Sequence, residues 1–371
     1  MRFGFFFMPL HPPGENMTLA LETDLRFCQL ADDLGYDEVW IGEHHTSGWE
    51  NIASPEMFLA AASQRTSRIK LGTGVLTAPL HNPIGVAERI ALLDHLSRGR
   101  VMLGMGPGLL PTDLKMFGLT SQLSREKLAE AVEVLIALLH GTEPVTHHGK
   151  HYQLDDVWLQ MRPYQDRLPI ALTTSGPKSS ATTLAARREL IMISGNFFGA
   201  PYEVMGQHFT ALDEQARGFG VTARREDWRL ATYVYVAESR EKALEEMGPG
   251  AERFVKDYLF SYAGRTVRPH FEAYPGQPAS EMDIERLVTR ARWIIGDPDS
   301  VTAQIKQLEI DTGGVGTLLI IGGGWSRPAD FEKSMDLFAR YVMPNFKGPN
   351  GMGMRRAFQR VLDNPIEMGD V

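Results

Sequence analysis

A chain of 371 residues with 38 Lys and Arg against 46 Asp and Glu carries a net charge of −8, which lacks the basic footprint a nucleic-acid binder needs. Its single cysteine, Cys28, excludes an intrachain disulfide and zinc sites built on several thiolates. The apolar start is shorter than a signal-peptide core, and no apolar run approaches the ~20 residues that cross a bilayer, so no membrane partner and a cytoplasmic location are expected.

Short apolar runs alternate with longer amphipathic ones. Residues 3–8 read as a buried strand. Residues 18–34 follow with Leu21, Leu25, Cys28, Leu30 and Leu34 at helical spacing, and Gly35 as the stop signal. A second strand is expected over 38–41, then a helix with Ser54 as N-cap and Pro55 in its first turn. Strand three spans 69–76, and Asn82-Pro83 caps the next helix. Strand four spans 100–105, with a helix over about 124–139. Residues 143–159 read as an inserted hairpin turning at His148-Gly149-Lys150. Strands five to eight fall at 170–174, 190–194, 229–237 and 317–321. Helices open near Ser179 and at Pro201, and the last covers 329–341.

Eight β–α pairs in order predict an α/β fold, a (β/α)8 barrel, because parallel strands need crossover helices. Two stretches exceed a simple crossover: the hairpin at about 143–160 after strand four, and about 240–297 after strand seven, expected to lie over the barrel mouth as a lid. The expected organisation is a single barrel over 1–348 and a C-terminal arm over 349–371.

Active sites of parallel barrels form at the C-terminal ends of the strands. Strand two ends in Gly42-Glu43-His44-His45, a carboxylate beside two imidazoles that titrate near neutrality and suit acid/base work. A salt-bridged strand end is the structural alternative. Adjacent strand residues point to opposite faces, so Glu43 and His44 do not converge on one ion, and no His-Glu-x-x-His helix exists; no metal is expected. Strand five ends in Thr174-Ser175-Gly176-Pro177-Lys178-Ser179-Ser180 before a helix. Hydroxyls, free amides, a helix N-terminus and a lysine make a phosphate cradle there, or an ordinary capped loop. Gly104-x-Gly106-x-Gly108 after strand four lacks the spacing and the following helix of a dinucleotide loop. Its glycines are expected instead to let a flat ligand approach the backbone.

Together these segments resemble the luciferase-like monooxygenases over about residues 1–347. Glu43-His44-His45 is similar to the luciferase α-subunit motif. Leu93-Asp94-His95-Leu96-Ser97-Arg98-Gly99-Arg100 is similar to the family's Leu-Asp-x-x-Ser-x-Gly-Arg stretch, and Ser124-Arg125 to its phosphate arginine. Within the family, Ile41 to Thr46, Trp49-Glu50-Asn51, Pro55-Glu56 and His81-Asn82-Pro83 resemble the diketocamphane and limonene monooxygenase branch. One position departs: where luciferase carries a second phosphate arginine after strand four, this chain has Pro107, and Lys178 is the compensating cation.

The resemblance implies reduced FMN as co-substrate, bound at Ser175, Gly176, Ser179, Ser180 and Arg125, with a non-prolyl cis peptide at Gly74-Val75 beneath the ring. It implies attack of reduced flavin on O2 to give a peroxyflavin, with His44 as acid/base and Glu43 tuning or orienting it. Water must be kept out by apolar side chains. Trp49, Phe198 and Trp325 are the pocket candidates, with Phe5, Phe7 and Phe197 as further lining, and Phe5 equally a core residue. A small apolar terpene, ketone or aldehyde, a separate flavin reductase and a homodimer complete the expectation. An F420-dependent dehydrogenase on the same fold and a non-catalytic flavin-binding relative are the alternatives. A barrel glycosidase would need a second mouth carboxylate besides Glu43.

Overall fold

The computed structural model describes residues 1–261 and 267–347. Eight strands pair in parallel around a closed ring: β1 (Arg2–Phe7), β2 (Glu38–Ile41), β3 (Lys70–Thr73), β4 (Val101–Met105), β7 (Ile170–Thr174), β8 (Ile191–Gly195), β9 (Trp228–Val236) and β11 (Thr317–Ile321), which returns to β1. The hairpin falls where the turn residues put it, as antiparallel β5 (Val145–His148) and β6 (Gln153–Val157). Helices α1 (Met17–Asp33), α2 (Pro55–Ser63), α3 (Pro83–Ser97), α4 (Pro111–Met116), α5 (Ser121–His140), α6 (Ser180–Arg188) and α7 (Tyr202–Gly218) follow in chain order. Among the described residues no helix is long and apolar enough to cross a membrane.

Between β9 and β11 the chain forms α8 (Arg240–Arg253), a wider turn over Phe254–Leu259, α9 (Ile284–Arg290), and then β10 (Ile294–Gly296) and α10 (Pro298–Thr312). β10 pairs with the end of β9 as a ninth strand, which sequence reading missed because three residues carry no periodicity. α11 (Pro328–Leu337) runs on into a wider turn over Phe338–Val342 and a tight one over Met343–Asn345, and the expected C-terminal arm lies outside the described residues. Strand three is shorter than expected: it ends at Thr73, the Gly74–Val75 peptide is cis, and Leu76 makes only an isolated bridge to Met105.

Strand alternation decides what fills the lumen. Glu38 and Trp40 point inward on β2, and the indole occupies the barrel centre. A Cβ on Gly72 would lie 2.3 Å from Trp40, one on Gly74 2.6 Å and one on Gly104 2.9 Å. Gly72 is therefore small to admit the Trp40 indole, Gly104 to admit the Thr73 carbonyl and that indole, and Gly74 to clear the Trp40 Cβ and Phe6. Gly106 is pressed by Val75 and Thr173, and Gly108 has a positive φ. For Gly104, expected with Gly106 and Gly108 to let a flat ligand approach the backbone, the Thr73 carbonyl and the Trp40 indole supply a structural reason. Overpacking costs typically 1–3 kcal/mol, so Gly72→Ala is expected to lower the melting temperature by several degrees. An unchanged melt would show that the indole has room to shift.

The same alternation corrects a second expectation. Phe5 and Phe7 do not line the mouth. They stack 4.8 Å apart on the outer face of β1, with Phe5 against Tyr36 and Phe331 and Phe7 against Phe27. They are the core between barrel, α1 and α11. Phe6, between them, faces inward beside Phe197.

The N-terminal end of the barrel is braced by charge. Glu38 and Arg229 pair at 2.8 Å with only 3 % of each side chain exposed, and Trp40 Nε1 donates to the same carboxylate. The Leu93–Arg100 stretch also serves this end. Buried Asp94 accepts from the Gln165 backbone and side chain, and Arg100 donates to the carbonyls of Ser63, Thr66, Ile69 and Ser97. The stretch that carries the family resemblance most specifically is thus scaffold. A cleft of about 550 Å3 opens at this end, lined in part by Lys70, Arg167, Leu190 and Arg224. It is remote from the strand ends that hold His44 and the turn after β7.

Candidate active site

At the opposite rim, β2 runs out into Gly42 and the loop that carries three titratable residues in a row. Extended backbone sends them apart. Glu43 is buried, and its carboxylate accepts from His45 Nε2 at 2.9 Å, His81 Nε2 at 2.7 Å and the Thr77 amide at 2.6 Å. It ties the β2 loop to the β3 loop. His44 turns the other way. Its Nδ1 lies 3.0 Å from Asp113 Oδ2 and its Nε2 3.4 Å from Glu50 Oε2. Glu43 was expected to tune or orient His44; Asp113 and Glu50 hold that ring, while Glu43 holds His45 and His81 and acts on His44 through its charge alone.

Asp113 sits in the first turn of α4, just after β4, and is buried. Its second oxygen accepts from the amides of His45 and Thr46 and from the Thr46 hydroxyl. One carboxylate thus fixes both the imidazole and the loop that presents it. Glu50, 6 % exposed, also accepts the Tyr258 hydroxyl from the segment after α8. His45 packs edge-on to Phe117. Sequence reading missed Asp113. The strand-end rule would have found it, since Pro111-Thr112-Asp113 places a carboxylate on the loop after β4. Glu50 was quoted only as part of a motif, and its contact with Tyr258 spans 208 positions.

The electrostatics follow from these contacts. Burial pushes the His44 imidazole down, but the charges of Glu50 and Asp113 outweigh it and raise its pKa above the ordinary value. Burial pushes Glu43 up, but His81, Thr77 and His45 outweigh it and lower it; for Asp113, His44 and Thr46 do the same. The signs give a stability window. The two carboxylates contribute fully above their unfolded values near 4, and this is lost as pH falls through their lowered folded values. His44 contributes below about 6.5, and this is lost as pH rises through its raised value. Thermal melts against pH are expected to decline on both sides of that window. A profile that keeps rising on the alkaline side would contradict the His44 assignment.

The turn after β7 is a knot of hydroxyls. Thr174 Oγ1 lies 2.8 Å from Ser179 Oγ and 2.6 Å from Thr182 Oγ1, and Ser179 caps α6 by accepting from the Thr182 amide. A Cβ on Gly176 would meet nothing within 4 Å, and Ser175, Lys178 and Ser180 are exposed. The first amides of α6 have no intrahelical partner by geometry. Arg125 is exposed near the start of α5, and neither it nor Lys178 has an ion-pair partner among the described residues. Ser124 donates to the Pro107 carbonyl, so the position that lacks an arginine anchors α5 to the β4 loop instead. His44 and this turn share one rim. β2 and β7 are separated by three inter-strand steps, roughly 15 Å, and the cis Gly74–Val75 peptide lies between them.

The three pocket candidates differ in setting. Trp49 is buried, 5.9 Å from Tyr258, with the Arg253 guanidinium over its face. Phe198 is half-buried between Phe197 and His270. Trp325 is enclosed in an aromatic stack under α8. Among the described residues, no three His, Cys, Asp or Glu side chains are grouped to hold a metal ion.

The model of the luciferase-like monooxygenases matches residues 1–314. The chain belongs to that family. Luciferase-like relatives include the 4-hydroxyprotoasukamycin monooxygenase of Streptomyces nodosus subsp. asukaensis, 37 % identical over 93 % of this chain and 92 % of the relative. The limonene 1,2-monooxygenase of Rhodococcus erythropolis is 36 % identical over 98 % and 91 %. Among solved luciferase-like structures, the oxygenating constituent of the 3,6-diketocamphane monooxygenase from Pseudomonas putida, a type II Baeyer–Villiger monooxygenase in complex with FMN, superposes with a TM-score of 0.80. It is 26 % identical, covering 94 % of this chain and 99 % of that one. At greater distance the family includes F420-dependent glucose-6-phosphate dehydrogenases, that of Kineococcus radiotolerans being 30 % identical over 76 % of this chain and 81 % of the relative. These relatives are oxidoreductases, and the closed barrel and the parallel order of its strands are those expected of the family.

Proposed function

We propose that this protein is a monooxygenase that takes reduced FMN from a separate reductase and uses it with O2 to oxygenate a small, largely apolar organic molecule. The observation that carries the reading is the His44 imidazole, held at Nδ1 by Asp113 and facing Glu50 at Nε2, on the same rim as the hydroxyl-rich turn after β7. The residues fit the cofactor. The open face of Gly176 with Ser175, Ser179, Ser180 and the α6 N-terminus would receive its phosphate. Arg125 and Lys178 would add positive charge. The ring would lie along Gly74–Val75 toward His44, a span that suits a ring system joined to phosphate through a ribityl chain. Bound reduced FMN would supply the electrons that activate O2.

The chain's own groups do the rest. His44 would hold or deliver one proton at the mouth, with its orientation set by Asp113. Trp49 and Phe198 would help exclude water. Glu43 would keep the β2 and β3 loops together from beneath. Exposed Met57 on α2 and Leu92 and Leu96 on α3 offer an apolar face for a homodimer.

Arg125→Ala is expected to weaken FMN binding about tenfold, the scale of one charge-assisted hydrogen bond, read by fluorescence titration; an unchanged affinity would remove Arg125 from the site. The reading itself is tested by mixing anaerobic protein and reduced FMN with O2. The oxidised-flavin absorbance is expected to return more slowly than without protein, and the oxygen in product to come from O2. Return at the rate of free flavin, or O2-independent hydride transfer with F420, would replace it with the dehydrogenase reading.

A further inference from the structure

The cleft at the N-terminal end of the barrel has the size and lining of a ligand site, and the chemistry at the opposite rim makes no use of it. Its volume of about 550 Å3 falls in the range of small-molecule pockets. The floor is built from strand starts. Arg2 opens β1, Glu38 opens β2 and Lys70 opens β3, and Lys70 stands level with Glu38 on the neighbouring strand. One wall is the junction of α6 and α7, with Ala186 and Leu212, and Leu168 and Leu190 extend it. All four of these apolar side chains are buried.

The charge of the cleft runs against that of the chain. Five Lys and Arg side chains line it against three carboxylates, in a protein whose net charge is −8. Two of the carboxylates are already taken. Glu38 pairs with Arg229 at 2.8 Å, and Asp227 accepts from Arg224 at 2.8 Å. Arg2 and Lys70 donate instead to the carbonyls of Glu226 and Gly99. Among the described residues, neither they nor Arg167 has an ion-pair partner, and only Glu189 is left in the lining to set against the three. His140, also in the lining, registers the excess. Burial first, and then the charges of Arg167 and Arg162, lower its pKa against the opposing bond to the Leu168 carbonyl.

Positive charge held in a cleft with low-dielectric walls draws an anion more strongly than the same charge spread over an open surface. Guanidinium groups bind carboxylate and phosphate through paired donors, and apolar walls add room for a hydrocarbon body. Catalysis on this fold uses the loops of the other rim, and the Trp40 indole fills the axis between. A ligand at this end is therefore held and not transformed.

We propose that the cleft is a separate binding site for a small organic anion, a carboxylate or phosphate head on an apolar body, with Arg2, Lys70 and Arg167 receiving the head. The test is isothermal titration of the full-length protein with three skeletons, hexyl, cyclohexylmethyl and naphthyl, each carried as the carboxylate, the phosphate monoester and the neutral alcohol, and with inorganic phosphate alone. At least one organic anion is expected to bind ~10-fold or more tighter than both its alcohol and inorganic phosphate, and the carboxylate and phosphate arms tell which head the site takes. Arg167→Glu and Lys70→Met should each weaken that anion about tenfold, the scale of one charge-assisted hydrogen bond, while alcohol affinity stays within threefold. Arg167 is exposed, so its substitution tests the site even if Lys70→Met melts early. His44→Asn, at the other rim, should leave the anion affinity level. Equal affinities for anion and alcohol, inorganic phosphate binding as well as the esters, or a panel in which nothing binds would overturn the assignment. So would anion binding that survives Arg167→Glu, or that is lost in His44→Asn, since either places the ligand elsewhere. The measurement involves no flavin and no turnover, so its outcome is independent of the O2 experiment.

Discussion

His44→Asn is expected to cut O2-dependent product formation by about 10²–10⁴-fold, the usual contribution of one positioned proton-transfer group, while leaving FMN affinity close to that of the unsubstituted protein. Asparagine can still donate to Asp113, so the loop over 44–46 keeps its anchor, yet it neither takes nor releases a proton near neutrality. The companion variant Asp113→Asn separates positioning from chemistry. Removing that charge withdraws one of the three carboxylates, Glu50, Asp113 and Glu43, that raise His44, so the pH at which the rate changes should move downward, and the rate at its new optimum should fall less than in His44→Asn. Steady-state rates across pH, with melting curves for each variant, check both. Turnover within twofold of the parent in His44→Asn would take the imidazole out of the reaction and leave Glu43 with His45 and His81 as the remaining acid/base group at the mouth.

Glu38→Ala is expected to produce the largest loss of stability, about 3–5 kcal/mol. The substitution leaves the Arg229 guanidinium charged and buried without its carboxylate, and strips the Trp40 indole of its acceptor. Most of the cost is the stranded charge, not the lost attraction. The double variant Glu38→Leu/Arg229→Met should therefore recover much of the loss, because replacing a buried pair by apolar side chains is often neutral. Urea unfolding of the parent, the single and the double variant reads the difference. A single-variant loss below about 1 kcal/mol would mean that water reaches Arg229 through the adjoining cleft.

How much of this was legible beforehand follows from the range of each interaction. The eight barrel strands, their order and the inserted hairpin could be read because apolar runs and turn residues are local signals. The strand-end rule located His44, Glu43 and the 174–180 turn, all on the rim where the structure has them. Side-chain partners were not legible. Asp113 meets His44 from 69 positions away and Tyr258 meets Glu50 from 208, and nothing in either local pattern marks the match. Phe5 and Phe7 were misplaced for a different reason. In the run Phe5-Phe6-Phe7 every residue is apolar, so alternation cannot tell the lumen side from the helix side until Gly4 is seen to abut Glu38. Gly104 shows the same limit, because a residue can be small for a neighbouring carbonyl and indole as readily as for a ligand.

That indole has a consequence for how the molecule can change. Trp40 is a bulkhead across the barrel axis, walling a charged hull below from a reactive deck above. Substitutions among the loops that carry His44 and Asp113 can alter the mouth while the braces around Arg229 and Arg100 go on carrying the weight. A lineage that keeps the bulkhead is free to rebuild the deck.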